Sequence, residues 1–212
     1  GYVAAGINYT LRTDENEASV YSQSMEIKDA MPFVVEEAEK LGYKLDRMAV
    51  SGGSAGGTLA LLYAYRDADT SPVPVKMVFE MVGPASFHHE DWTTYGLDQS
   101  PEAAAGLFSL MSGHTITTEM IEANDYADQV KGISADMWVN ENTVPTLIAY
   151  GKHDKICPFE TVKHLTNALK ENNVPHDYIE FPHSGHGLQN DNKQYKLYMN
   201  KLNEYLDQYL AK

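Results

Sequence analysis

The stretch "VSGGSAGGTL", residues 50–59, sets four glycines and two serines between an apolar run and a segment of helical composition. Glycine weakens regular structure, so a cluster of it marks a backbone path that bulkier residues cannot follow. Three kinds of strand-to-helix turn use glycine this way. A Walker-type phosphate loop needs a Lys before the Ser or Thr that opens its helix, and Gly57-Thr58 has none. A dinucleotide fingerprint needs G-x-G-x-x-G, which these glycines do not complete. Gly52-Gly53-Ser54-Ala55-Gly56 does match G-x-S-x-G, the turn that lifts a serine hydroxyl out of a strained strand-helix junction. An ordinary βα turn can carry the same letters, so the assignment depends on partners elsewhere in the chain.

Around that turn, strand and helix patterns alternate. Val3 to Tyr9 ("VAAGINY") reads as a short buried strand. From Val20 to Leu41, apolar residues fall mostly at three- and four-residue steps before Gly42. This predicts an amphipathic helix with Pro32 as its irregularity. "RMAVSG", "VKMVFEMVG", "TLIAYG" and "DYIEFP" read as further strands, and Ala55–Arg66, Glu160–Asn172 and Asn192–Leu210 as helices. Such alternation predicts an α/β fold, a mostly parallel sheet with helices on both faces. Between Pro84 and Pro145 the rhythm breaks into short helical patterns, too long for a simple connection. The expected organisation is a single domain over 1–212 with a small helical cap inserted at about 85–140.

Composition narrows the partners. Sixteen Lys and Arg against 30 Asp and Glu give a net charge of −14, spread along the chain. That surface repels nucleic-acid backbones and anionic headgroups, so neither nucleic-acid binding nor membrane-surface binding is expected. No apolar run reaches the length of a membrane span, so membrane insertion is not expected either. One cysteine, Cys157, excludes an internal disulfide and a cysteine-rich zinc module.

A serine hydroxyl needs a general base, and the base needs a carboxylate to orient it. Asp154 follows the strand "TLIAYG", and His186 follows "DYIEFP" within "HSGHG". Both sit where Ser54 sits, just beyond the C-terminal end of a strand. The chain order Ser54, Asp154, His186 is that of α/β-hydrolases. Ser51 is an alternative nucleophile, His183 an alternative base, and Glu80 and Asp91 alternative acids. The glycines flanking His186 favour it over His183.

The segments "GGSAGG", "YGKHDKICP" and "HSGHGL" together resemble bacterial α/β-hydrolase esterases of the carboxylesterase, acetyl esterase and hormone-sensitive-lipase-like group, over essentially the whole chain. The resemblance implies a serine hydrolase acting on small or medium carboxylic esters, without a cofactor. Ser54 would be nucleophile, His186 base, Asp154 acid, and the Ala55 N–H one oxyanion donor. An amide-cleaving relative and a catalytically silent binding protein are the alternatives. Trp92 and Tyr95 are candidates for the substrate pocket or for packing of the cap. "HHED", residues 88–91, contains ligand types, but adjacent residues on a loop seldom converge on one ion, and no metal is assigned.

The resemblance also implies an HGG-type oxyanion loop after an interior strand, and no HGG occurs in the sequence. The expectation is an N-terminally incomplete sheet. Either the first strand shifts to pair with "RMAVSG", or a missing N-terminal segment or a second copy in a homo-oligomer fills the slot.

Overall fold

The computed structural model describes residues 1–211. Four of the apolar runs form strands: β1 (Met48–Gly53), β2 (Val75–Met81), β3 (Thr146–Gly151) and β4 (His176–Phe181). They pair in the order β1-β2-β3-β4, every pair parallel. The seven principal helices are α1 (Val20–Lys40), α2 (Ala55–Leu62), α3 (Pro101–Ser112), α4 (Thr118–Glu122), α5 (Ala127–Val130), α6 (Thr161–Glu171) and α7 (Asn192–Tyr205). This is the expected α/β pattern. β3 is buried along its whole length, as a strand covered on both faces should be. With Met77 and Val78 of β2, its Leu147, Ile148, Ala149 and Tyr150 form the centre of the main core.

Local chemistry sets the helix boundaries. Ser19 and Ser22 cap each other's backbone N–H at the start of α1, and Pro32 sits inside that helix without ending it. α2 continues into a π-helical turn, Tyr63–Asp67, so the helical path reaches past Arg66 as its sequence pattern requires. Between β2 and β3 lie α3, α4, α5 and several short 3₁₀ turns. These pack around a second apolar cluster that includes Phe87, Trp92, Phe108, Tyr126 and Ile133.

The strand expected over Val3–Tyr9 is not formed. Val3 is 46% exposed, and the segment runs irregularly outside the sheet with Ile7 leaning on the main core. It is tied instead to α1: Thr10 N–H donates to Glu26 and the Gln23 amide donates to Thr10 O. An apolar run becomes a strand only where a neighbouring strand takes up its backbone groups, and β1 does not do so here. β1 is therefore an edge strand of the described sheet, and the shift of the first segment onto it does not occur.

The junction of β1 and α2 depends on bare backbone. A Cβ on Gly52 would lie 2.0 Å from Gly56 O, and one on Gly83 would lie 2.8 Å from Gly57 C and Thr58 N. Any side chain at either position would force the helix away from the sheet. Gly56, by contrast, faces open space, so the close approach is made by Gly52 and by the Gly57–Gly83 contact.

Candidate active site

Because the strands are parallel, the loops after β1, β3 and β4 open on one edge of the sheet, where α/β folds place ligands. Ser54 stands at the tip of the first loop with φ 56° and ψ −129°, a conformation costing about 1–3 kcal/mol for a non-glycine residue. The backbone holds it there: Ser54 N–H donates to Met81 O of β2, while Gly57 and Thr58 N–H both return to Ser54 O. Those bonds begin the turns of α2 and leave the Ala55 N–H among the helix's unpaired first donors, beside the serine.

Ser54 Oγ lies 2.9 Å from His186 Nε2, and His186 Nδ1 lies 2.8 Å from Asp154 Oδ2. The second Asp154 oxygen, Oδ1, accepts the N–H groups of Ile156 and Cys157, each at 2.9 Å. Fixed in this way and fully buried, the carboxylate can hold the imidazole with Nδ1 as donor, which leaves Nε2 free to accept from the serine. The sequence-derived nucleophile, base and acid therefore converge in one hydrogen-bonded chain.

The alternatives lie elsewhere. His183 is 78% exposed on its side chain and turns its Nδ1 to Asp191. Ser51 sits within β1, opposite Phe79. Asp91 bonds His164. Glu80 is fully buried beneath the elbow, where its Oε2 accepts Gly83 N–H. Cys157 Sγ is 3.9 Å from Ser54 Oγ, but burial and the neighbouring Asp154 push its thiol up to about 12, so it is a neutral wall of the site.

A clamp that sequence reading missed holds the His186 loop. Buried Asp191 accepts from Ser184 Oγ at 2.6 Å, His183 N–H at 3.0 Å and His183 Nδ1 at 2.8 Å. A carboxylate shortly after a histidine loop and just before a helix was the available signal. Asp191→Ala should leave the buried Ser184 hydroxyl short of its acceptor and cost about 2–3 kcal/mol, read as a fall in Tm.

Two hollows meet at Ser54. One, of about 170 Å³, has Ala55, Phe87, Trp92, Tyr95, Met111 and Cys157 among its lining. Both aromatic candidates thus face it, although Trp92 is only 3% exposed and also packs between Phe87 and Phe108. Tyr95 is held by its hydroxyl, which donates to Ile156 O. The other hollow is a broad cleft of about 570 Å³ lined by His186 and by polar Gln189, Asn192 and Tyr195. Backbone strain collects there. Of the five non-glycine residues with positive φ among the described residues, Ser54, Val82 and Leu188 all line this cleft. Strained backbone gathers at working sites because only a structure that over-determines it can keep it.

The family model BD-FAE matches residues 1–169. The chain belongs to the BD-FAE family. The dienelactone hydrolase family model matches residues 133–208, the part that carries Asp154 and His186. Among curated proteins, endo-1,4-beta-xylanase B of Butyrivibrio fibrisolvens is 23% identical over 182 residues, covering 80% of this chain. This BD-FAE chain spans only 25% of that relative's length. Solved structures with the same fold include an acetyl ester-xyloside bifunctional hydrolase from Caldicellulosiruptor lactoaceticus, with TM-score 0.64, 21% identity, and 95% of this chain and 69% of that one covered. A truncated carbohydrate esterase from gut microbiota gives TM-score 0.68 at 20% identity, covering 91% and 70%. Esterase Est2 of Thermogutta terrifontis gives 0.65 at 20%, covering 90% and 65%. The BD-FAE chain therefore has the α/β-hydrolase fold of these esterases, as the sequence resemblance implied.

Proposed function

We propose that the protein is a serine hydrolase that cleaves carboxylic esters through an acyl-enzyme, with Ser54 as nucleophile, His186 as general base and acid, and Asp154 as the orienting carboxylate. The observation that carries this reading is the chain of two short hydrogen bonds from Ser54 through His186 to buried Asp154, built on a strained serine. Ser54 attacks the carbonyl as His186 Nε2 takes its proton, and the Ala55 N–H supports the oxyanion. The same imidazole then protonates the departing alkoxide.

That last step assigns the two hollows. The leaving oxygen must sit near His186, which lines the broad cleft and not the small pocket. The alcohol therefore lies in the cleft and the acyl group in the pocket. A space of 170 Å³ is close to the roughly 150 Å³ cavity known to take a benzene-sized group, so short acyl or single-ring acyl groups fit. Gln189, Asn192 and Tyr195 suit a hydroxyl-rich alcohol. The xylanase and carbohydrate esterase relatives favour a sugar ester in particular. The helical segment between β2 and β3, which contributes Phe87, Trp92, Tyr95 and Met111, serves as the cap over the acyl side.

A fluorophosphonate probe tests this. Stoichiometric labelling of Ser54, abolished in Ser54→Ala, together with faster turnover of acetyl than of long-chain aryl esters, is expected. An unlabelled wild-type protein would mean a silent fold, and preferential cleavage of aryl amides would mean the other bond.

A further inference from the structure

Outside the triad, one cluster joins side chains from three separate parts of the fold. His88 follows β2, Asp136 lies in the 3₁₀ turn Ala135–Trp138 before β3, and His164 projects from α6. One ligand atom from each lies within 4.8 Å of the other two. The two imidazole rings stack with centroids 4.2 Å apart and planes at 21°. Asp136 Oδ1 is buried with no hydrogen-bond partner, so a desolvated anionic oxygen stands unsatisfied beside two nitrogen donors. An orphaned buried carboxylate oxygen calls for an explanation, and a cation supplies one.

We propose that His88, Asp136 and His164 form a binding site for a divalent transition metal ion of the Zn²⁺ type. Two imidazole nitrogens and a carboxylate oxygen are a borderline donor set that suits Zn²⁺, whereas Mg²⁺ and Ca²⁺ favour oxygen alone. Ligands on a tetrahedral zinc stand about 3.4 Å apart, so modest side-chain rotation closes the observed spacing. Asp91 Oδ2 already lies 2.7 Å from His164 Nε2, in position to orient a ligating histidine through its second nitrogen or to swing in as a fourth ligand. The His164 side chain is 38% exposed, which leaves a path for the ion and for a water ligand. None of the three residues lines either hollow at Ser54, and the role of the site is to fasten the segment between β2 and β3 to α6. The adjacency of "HHED" does not reveal it. His89 turns off to Tyr126, while His88 belongs to the cluster and Asp91 bonds its His164.

The test is Zn²⁺ binding by tag-free protein, followed by equilibrium dialysis and thermal denaturation. One Zn²⁺ per chain is expected. At a hundredfold excess over Kd, Tm should rise by about 5–10 °C. Co²⁺ in its place should give a tetrahedral visible spectrum. His88→Asn and Asp136→Asn should each weaken binding at least tenfold, and Asp136→Asn keeps the fold testable because it removes the unsatisfied charge. Failure to bind Zn²⁺ in excess, or unchanged binding in the His88→Asn/Asp136→Asn double variant, would overturn the proposal. Ser54→Ala should bind the ion as wild type does, which keeps this outcome separate from that of the ester-cleavage reading.

Discussion

Replacing Ser54 with Ala is expected to lower kcat/KM on aryl esters by about 10⁴-fold or more, and replacing His186 with Ala should do nearly the same. The double variant should be little worse than either alone. On the proposed mechanism the reason is geometric: Ser54 Oγ would be a nucleophile only while His186 Nε2, 2.9 Å away, can take its proton, so removing either group would remove the same event. Asp154→Asn should also cost several orders of magnitude, because an amide can hold the imidazole in the wrong tautomer. The residual rate expected would come from binding and from the Ala55 N–H. Steady-state kinetics on wild type and the four variants provides the check. Losses that multiply in the double variant would show that the two residues act independently and that the assigned unit is wrong.

The second large effect concerns Glu80. Its side chain is fully buried under the elbow, with Oε2 on Gly83 N–H at 2.8 Å and Oε1 without a partner. Burial pushes its carboxyl from 4.5 up to about 8, against the smaller pull of the Gly83 N–H. Between those two values the folded protein holds a proton that the unfolded chain has lost. The stability associated with the protonated acid is complete below about pH 4.5 and drains away as pH rises toward 8, at up to about 1.4 kcal/mol per pH unit. The full loss is about 4–5 kcal/mol, or on the order of 10 °C in Tm for a domain of this size. Glu80→Gln keeps an acceptor for Gly83 and cannot titrate. Its Tm should match wild type near pH 5 and exceed it by several degrees at pH 8. Parallel Tm–pH curves for the two proteins would mean that Glu80 does not carry this dependence.

Glu80 also illustrates what could be read from the letters. An acid at the end of a strand near the elbow was a reasonable alternative to Asp154, and composition gives no hint that it points under the sheet edge. Ser54, Asp154 and His186 were legible because each follows an apolar run at a turn with its own glycine or proline signature. Parallel strand order then brings such turns together. β1 to β4 were legible for the same reason. Val3–Tyr9 has equally strand-like residues, but a strand is a property of pairs, and one sequence window does not contain its partner. The cluster of His88, Asp136 and His164 was hidden in the same way. Its members belong to a loop, a turn and a helix that meet only after β2, β3 and α6 have packed.

The unequal hollows on either side of Ser54 dictate an order of traffic. On the proposed reaction the alcohol departs into the broad, open cleft while the acyl group stays walled in by Trp92, Tyr95 and Cys157. Water for the second half-reaction then has one approach, through the space the alcohol has vacated and past the imidazole that must activate it. A bulky alcohol that lingers in the cleft would block its own enzyme at the acyl stage. An added small alcohol would compete with water for the same entrance and be acylated in its place.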